Sequence, residues 1–158
     1  MRILIIEDNE YKYRDIKNTL VRCLEAPEID WEKSRNGGLL SIKEHNYRNH
    51  DPYDMVICDN YMPIYDDENN IKPLGLDIVR EIRERFELKN LIIVMCSSEE
   101  VEESDYNYKI RYDQFVSMDE IFKEIIDDII KQNNGQILKK EHTGKKGKSQ
   151  IFRLNAVL

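Results

Sequence analysis

The segment Met55-Val56-Ile57-Cys58-Asp59-Asn60-Tyr61-Met62-Pro63 sets four apolar residues directly before an aspartate. A short apolar run with β-branched side chains is typical of a strand that is buried on both faces of a parallel sheet. Two further runs, at residues 3–6 and 91–96, have the same character and also end at polar residues. We therefore predict three central strands, each followed by polar side chains.

The stretches between these runs carry apolar residues at helical spacing. This spacing predicts four helices, over about residues 9–23, 39–48, 75–86 and 117–132. Weaker patterns predict a second strand at 29–35, a turn at 36–38 and a fifth strand around Phe115 and Val116. Strands that alternate with helices indicate an α/β fold, in which a parallel sheet is covered on both faces.

Acids, an amide and hydroxyls follow the three central strands: Glu7, Asp8, Asp59, Asn60, Ser97 and Ser98. In open parallel sheets, sites form at the carboxyl ends of the strands. Carboxylates that converge there repel one another unless a cation lies among them. Mg²⁺ prefers oxygen ligands, so we expect Asp8 and Asp59 to bind it directly and Glu7 to bind it through water. An aspartate can also form an aspartyl phosphate, and Ser97 could then donate a hydrogen bond to a phosphoryl oxygen.

The composition is that of a globular domain, with 41% hydrophobic and 35% charged residues in 158. No run of residues is apolar enough for a membrane span, and acids follow the first apolar run too early for a secretory signal. We therefore expect a cytoplasmic protein. The three cysteines are too widely spaced to predict a disulfide framework or a zinc site.

Five short motifs of the sequence resemble motifs of one known family, the receiver domains of bacterial response regulators. Glu7-Asp8 is similar to its acidic pair, and Asp59-Asn60-Tyr61-Met62-Pro63 to its Asp-x-x-Met-Pro phosphoacceptor motif. Ser97-Ser98 is similar to its pair of a hydroxyl and a small residue. Asn36-Gly37 resembles the turn after its second strand, and residues 75–83 resemble the glycine and helix that follow its phosphoacceptor motif. The match covers about residues 1–132.

The resemblance implies a flavodoxin-like, doubly wound parallel sheet of five strands in the order 2-1-3-4-5. It implies that Asp59 is the phosphorylation site and that Ser97 is the switch hydroxyl. The implied Mg²⁺ ligands are Glu7, Asp8, Asp59 and the backbone carbonyl of Tyr61.

Phe115 is a candidate for the rotating aromatic residue of the family, with an ordinary strand hydrophobe as the alternative. The implied partners are a histidine kinase or a phosphotransfer protein upstream and another protein downstream. We expect a signalling protein of a two-component system, a phosphoacceptor and not an enzyme that acts on other substrates.

The sequence departs from the family at two places. Residues 64–74 exceed the usual spacing between Met-Pro and the glycine by about eight residues, and this acidic insertion could shield the phosphoryl group, perturb the metal, dock a partner or be a tolerated surface loop. The second departure is a lysine that the family has after its fifth strand. No lysine stands near Phe115, and Lys109 and Arg111 lie too early to replace it. The polar stretch before Phe115 also predicts a short or irregular fourth helix.

The predicted domain spans residues 1–133. Residues 134–158 form a basic tail, for which we consider a flexible arm or a hairpin. Residues 139–158 hold six basic residues and one acidic residue, a net charge of +5, whereas the whole chain carries −7. A basic cluster can contact nucleic acid or an acidic partner, but a solvated charge run is the commoner case. We therefore expect signalling through protein contacts, without membrane binding and without a nucleic-acid partner.

Two other functions are consistent with parts of the sequence. The missing lysine and the acidic insertion suit a pseudo-receiver, a binding module that no longer uses phosphate. A metal-dependent phosphohydrolase is disfavoured, because Tyr61 stands where such an enzyme needs a second aspartate and no acid–base histidine is evident.

Overall fold

A computed structural model describes residues 1–133 and 151–153 of the chain. Its main sheet consists of six strands: β1 (Arg2–Ile6), β2 (Glu28–Glu32), β3 (Met55–Cys58), β6 (Ile92–Ser97), β7 (Tyr108–Arg111) and β8 (Ile151–Arg153). A separate two-stranded hairpin is formed by β4 (Tyr61–Met62) and β5 (Lys72–Pro73). The order of the main sheet is β2-β1-β3-β6-β7-β8, and its first five strands run parallel. This confirms the predicted doubly wound sheet with the order 2-1-3-4-5.

Alternate residues of the central strands face two separate cores, as expected for a sheet that is covered on both sides. In β1, Ile3 and Ile5 belong to the core formed with helices α1 (Glu10–Cys23) and α4 (Asp119–Asn133). Leu4 and Ile6 belong to the opposite core, formed with α2 (Arg35–Ile42) and α3 (Gly75–Arg80). All four side chains are fully buried.

Helices α2 (Arg35–Ile42) and α3 (Gly75–Arg80) each continue into one wider, π-helical turn, Lys43–Tyr47 and Glu81–Arg85. The predicted turn at residues 36–38 is wrong, because these residues form the first turn of α2. Ser34 caps that helix by accepting a hydrogen bond from the backbone N–H of Gly37 at 3.1 Å.

The acidic insertion is largely a loop, as the sequence predicted, but it closes a hairpin that docks on α2, and Lys72–Pro73 within it forms strand β5. In its two-residue ladder, β4 pairs antiparallel with β5. Two free backbone N–H groups at the start of α2 are satisfied where the insertion begins: Arg35 donates to the carbonyl of Pro63, just before the insertion, and Asn36 to that of Ile64, both at 3.0 Å. The segment is therefore tied to the body of the domain at its root.

The chain connects β6 to β7 without a helix, so that one of the crossovers is irregular. Residues 98–107, all of which the structure describes, form no helix, and this confirms the expected irregular segment. Val101 and Tyr106 are nevertheless buried and pack in the core with α2 and α3.

The fifth parallel strand is β7, and the prediction that it lies around Phe115 and Val116 is wrong. The polar residues within β7, Lys109 and Arg111, hid the strand from a hydrophobicity pattern. In the tail, Ile151–Arg153 adds to the sheet as the edge strand β8, antiparallel to β7. The other tail residues, including the lysine-rich cluster, lie outside the described residues. Within the part of the chain that the structure describes, no helix has the length and apolarity to cross a bilayer.

Candidate functional site

Three carboxylates meet at the carboxyl end of the sheet, as predicted from the strand ends. Glu7 and Asp8 follow β1, and Asp59 follows the neighbouring strand β3. One oxygen atom from each of the three carboxylates lies within 4.8 Å of the other two. The expected acidic cluster therefore forms from the ends of two strands, Ile6 and Cys58, that are 52 residues apart in the chain.

Glu7 is buried and held from several directions. Its Oε1 accepts a hydrogen bond from the backbone N–H of Asn9 at 2.9 Å, and Asn9 in turn caps α1 by accepting from the backbone N–H of Lys12. The indole N–H of Trp31 donates to the Glu7 carbonyl at 2.7 Å, and the ring of Tyr13 stacks on Trp31 at 3.9 Å. These contacts fix the acid relative to both β2 and α1.

Asp59 is held by its own turn and by a glycine. Its Oδ1 accepts a hydrogen bond from the backbone N–H of Asn60 at 2.7 Å, and its side chain is 12% exposed. Gly75, the first residue of α3, donates its N–H to the Asn60 carbonyl at 3.0 Å. A Cβ atom on Gly75 would lie 2.5 Å from the Asp59 carbonyl oxygen, so only glycine allows this close approach.

The sequence interpretation missed Lys12, which is a buried member of the site. Its ammonium nitrogen lies 2.8 Å from Oε2 of Glu7 and 3.0 Å from Oδ1 of Asp59, and its side chain is 7% exposed. A signal was present, because Lys12 lies four and eight residues before Ile16 and Leu20 on the buried face of α1. A lysine on the apolar stripe of a helix must find a negative partner inside the protein.

Burial, the ammonium of Lys12 and the neighbouring carboxylates together determine the pKa values of these groups. Burial raises the pKa of Glu7 to about 7, the ammonium of Lys12 opposes this rise, and the carboxylate of Asp59 adds to it. Burial and the charge of Asp59 also raise the pKa of Asp8. Burial by itself would lower the pKa of Lys12, but interactions with Cys96, Glu7 and Asp59 outweigh burial and raise it. Lys12 is therefore a cation at neutral pH.

Ser97 and Tyr61 lie at the same end of the sheet as the carboxylates. Ser97 is buried at the end of β6, and because Cys58 pairs with Met95, it stands one residue beyond the level of Asp59 on the adjacent strand. Its hydroxyl accepts a hydrogen bond from the backbone N–H of Glu99 at 3.3 Å. Tyr61 lies opposite Pro73 in the hairpin. Proline has no N–H, so Pro73 cannot donate to the Tyr61 carbonyl.

The stretch after β7 has an aromatic residue where the resemblance calls for a lysine. Tyr112 follows the strand directly, and its hydroxyl donates to Asp15 of α1 at 2.9 Å. The ammonium of Lys109 lies 3.3 Å from the carbonyl of Val101. Phe115, expected inside a strand, lies outside β7 and is 88% exposed. Both interpretations of Phe115, as switch aromatic and as ordinary hydrophobe, placed it in the fifth strand, and this placement is wrong.

The residues present fit a hard divalent cation. The cluster offers carboxylate oxygens only, which Mg²⁺ prefers over nitrogen or sulfur ligands. With all groups ionised, three carboxylates and the ammonium of Lys12 give a net charge of −2, which one divalent cation neutralises. Glu7, Asp8 and Asp59 would hold the ion.

Comparison with known proteins identifies the fold. The sequence matches no protein-family model and no curated protein. Among solved structures, the chain is similar to the phosphorylated cyanobacterial phytochrome response regulator RcpA, with a TM-score of 0.61, 20% identity and coverage of 83% of this chain and 94% of that one. It is also similar to a response regulator receiver domain protein from Clostridium thermocellum, with a TM-score of 0.58, 20% identity and coverage of 86% and 98%. A third is HP1043, an orphan response regulator of H. pylori, with a TM-score of 0.54, 18% identity and coverage of 82% and 96%. The chain therefore has the receiver-domain fold of response regulators.

Proposed function

We propose that this chain is a phosphoacceptor switch of a two-component system, phosphorylated on Asp59 with the help of Mg²⁺. The observation that carries the proposal is the cluster itself, in which Asp59 lies close to two further carboxylates and to a buried ammonium. The receiver fold, and the phosphorylated state named for the similar RcpA structure, support the same function.

The reaction needs a nucleophilic oxygen and neutralised charge. The hydrogen bond from Asn60 and the ion pair with Lys12 both fall on Oδ1 of Asp59, so we assign Oδ2 as the nucleophile. Oδ2 forms the new O–P bond while the bond from phosphorus to the donor breaks, and the leaving group departs with that electron pair and takes a proton from solvent. Hydrolysis of the aspartyl phosphate by water returns the carboxylate and releases inorganic phosphate.

The cation would be held by Glu7, Asp8, Asp59 and the carbonyl of Tyr61. When bound, it supplies charge neutralisation between the carboxylate and the incoming phosphoryl group. Ser97, buried at the end of the strand adjacent to Asp59, is the hydroxyl that we propose to donate to a phosphoryl oxygen. Movement of the Ser97 hydroxyl toward that oxygen would couple the phosphorylation of Asp59 to a change at the protein surface.

The proposed phosphoryl donor is a histidine kinase or a phosphotransfer protein, and the proposed output is a contact with another protein. We assign the switch to residues 1–133, with the insertion at 64–74, and treat residues 134–158 as a basic tail from which Ile151–Arg153 adds the edge strand β8 to the sheet. Because a histidine kinase takes its phosphoryl group from ATP, we propose that the protein acts in the cytoplasm. Nothing in the proposal requires the protein to act as an enzyme on other substrates.

Phosphorylation of the full chain tests the proposal. The protein is incubated with Mg²⁺ and a small phosphodonor such as acetyl phosphate, and its intact mass is measured. We expect the mass of one phosphoryl group to be added to the wild-type protein and not to Asp59→Asn. No added mass in the wild type, or the same addition to the variant, would refute the assignment of Asp59.

A pseudo-receiver is the second candidate, and one observation favours it. The ammonium of Lys12 already pairs with Glu7 and Asp59, so the cluster is partly neutralised without a metal. A chain of this kind would bind its partner in one state only. A change of Trp31 fluorescence on adding beryllofluoride, a phosphoryl analogue, in the presence of Mg²⁺ would count against it.

A further inference from the structure

We propose that Lys12 binds the phosphoryl group on Asp59, and so supplies from helix α1 the ammonium that the resemblance places after the fifth strand. This inference rests on the proposed function, because it names the group that stabilises the phosphorylated state. Lys12 lies on helix α1 and belongs to none of the five motifs that resemble the receiver family.

The position of Lys12 is fixed by the helix that carries it. Lys12 lies in the first turn of α1, and its backbone N–H donates to the capping side chain of Asn9 at 3.1 Å. Its ammonium is 3.0 Å from Oδ1 of Asp59, a distance at which a charge-assisted hydrogen bond forms. A phosphoryl group on Oδ2 would add several oxygen acceptors within reach of the same ammonium.

The residue that follows β7 explains why the ammonium comes from α1. Tyr112 fills that position, and its ring centroid lies 5.3 Å from the ammonium of Lys12. The Tyr112 hydroxyl is held by Asp15, one turn further along α1. The ammonium of Lys12 therefore lies over the face of the aromatic ring, which attracts it weakly through a cation–π contact but contributes no charge.

Charge distinguishes the proposed role of Lys12 from a purely structural one. Lys12 is close to the same carboxylates that would bind Mg²⁺, so its positive charge opposes metal binding. The phosphoryl group is negative, so the same charge favours phosphorylation. Replacing Lys12 by an uncharged residue should strengthen Mg²⁺ binding and slow phosphorylation, whereas a damaged fold would weaken Mg²⁺ binding and slow phosphorylation together.

The test compares Lys12→Met with Lys17→Met, a matched substitution at an exposed position on the same helix. Mg²⁺ affinity is measured through the fluorescence of Trp31, the single tryptophan, which contacts the Glu7 carbonyl. The rate of phosphorylation by acetyl phosphate is measured at saturating Mg²⁺ by intact mass. Lys12→Gln replaces Lys12→Met if circular dichroism shows that the latter does not fold.

For Lys12→Met we expect Mg²⁺ affinity to rise by about threefold or more, and phosphorylation to slow by about 10- to 100-fold. Lys17→Met should behave as the wild type. If the wild type is phosphorylated and Lys12→Met matches it, the role of Lys12 is refuted while the proposed function stands. If Lys12→Met loses Mg²⁺ binding and phosphorylation together, its role is structural and the inference also fails. If the wild type itself takes no phosphoryl group, both the inference and the proposed function fail.

Discussion

Replacing Gly75 by alanine should disturb Asp59 directly, because the two atoms nearest to the new Cβ belong to the backbone. That atom would lie 2.5 Å from the Asp59 carbonyl oxygen and 2.7 Å from the Cα atom of Asn60. An ordinary contact of 3.4 Å requires a shift of about 0.9 Å between α3 and the phosphoacceptor turn. Such overpacking costs about 1–3 kcal/mol of the free energy of unfolding. A displacement of about 1 Å at the reacting group can slow a reaction by about 100-fold.

Urea unfolding and the rate of phosphorylation by acetyl phosphate measure the two effects of Gly75→Ala. Gly37→Ala is the control, since the atom nearest to its Cβ would be the far end of the Glu32 side chain, which can move. We expect this control to cost less than about 1 kcal/mol and to leave phosphorylation unchanged. If Gly75→Ala were as stable and as readily phosphorylated as the control, the close approach of α3 to Asp59 would not be what positions the nucleophile.

Three further predictions follow from the contacts of single residues. Arg83 donates four hydrogen bonds to the segments that flank β6. Arg83→Met should therefore lower the free energy of unfolding, measured in urea, by about 2–4 kcal/mol. A loss no larger than that of Arg80→Met, at an exposed arginine, would contradict this. Partial burial opposes the charge of Asp30, but hydrogen bonds from its neighbours hold its pKa below the ordinary value. The charged Asp30 carboxylate therefore stabilises the fold fully above its unfolded pKa, and this stabilisation is lost as pH falls through its folded pKa. The difference in the free energy of unfolding between the wild type and Asp30→Asn should shrink from pH 7 to pH 3. A constant difference would refute this prediction. Finally, adding Tyr112→Lys to Lys12→Met should restore part of the phosphorylation rate, and a double variant as slow as Lys12→Met would show that the location of the ammonium is not interchangeable.

Much of the site could be predicted because strand ends in a parallel sheet have a fixed meaning. Apolar runs before Glu7 and Asp59 identified two adjacent strands, and the topology rule then brought their acids to one edge. The same reasoning placed Ser97 at the end of the next strand. These predictions needed only the period of the pattern and the position at which each apolar run stops.

The rest could not be predicted because it depends on contacts between distant segments. Strand β7 alternates buried residues with Lys109 and Arg111, whereas the apolar pair at Phe115 mimics a strand without being one. The spacing of Lys12 to Ile16 and Leu20 signals that it is buried, but its pairing with Glu7 and Asp59 is evident only when the helix is packed against the strand ends.

The central claim is that Glu7, Asp8 and Asp59 together form one cation site around a reactive aspartate. The most direct test is a Mg²⁺ titration followed by Trp31 fluorescence and by calorimetry, on the wild type, Asp8→Asn and Asp59→Asn. Asp51→Asn is the control, since Asp51 is 89% exposed and lies near Arg2 at the opposite end of β1. We predict that Mg²⁺ binds to the wild type and to Asp51→Asn with the same affinity, and at least about tenfold more weakly to the two site variants. Equal affinity in all four proteins, or no binding to the wild type, would contradict the account.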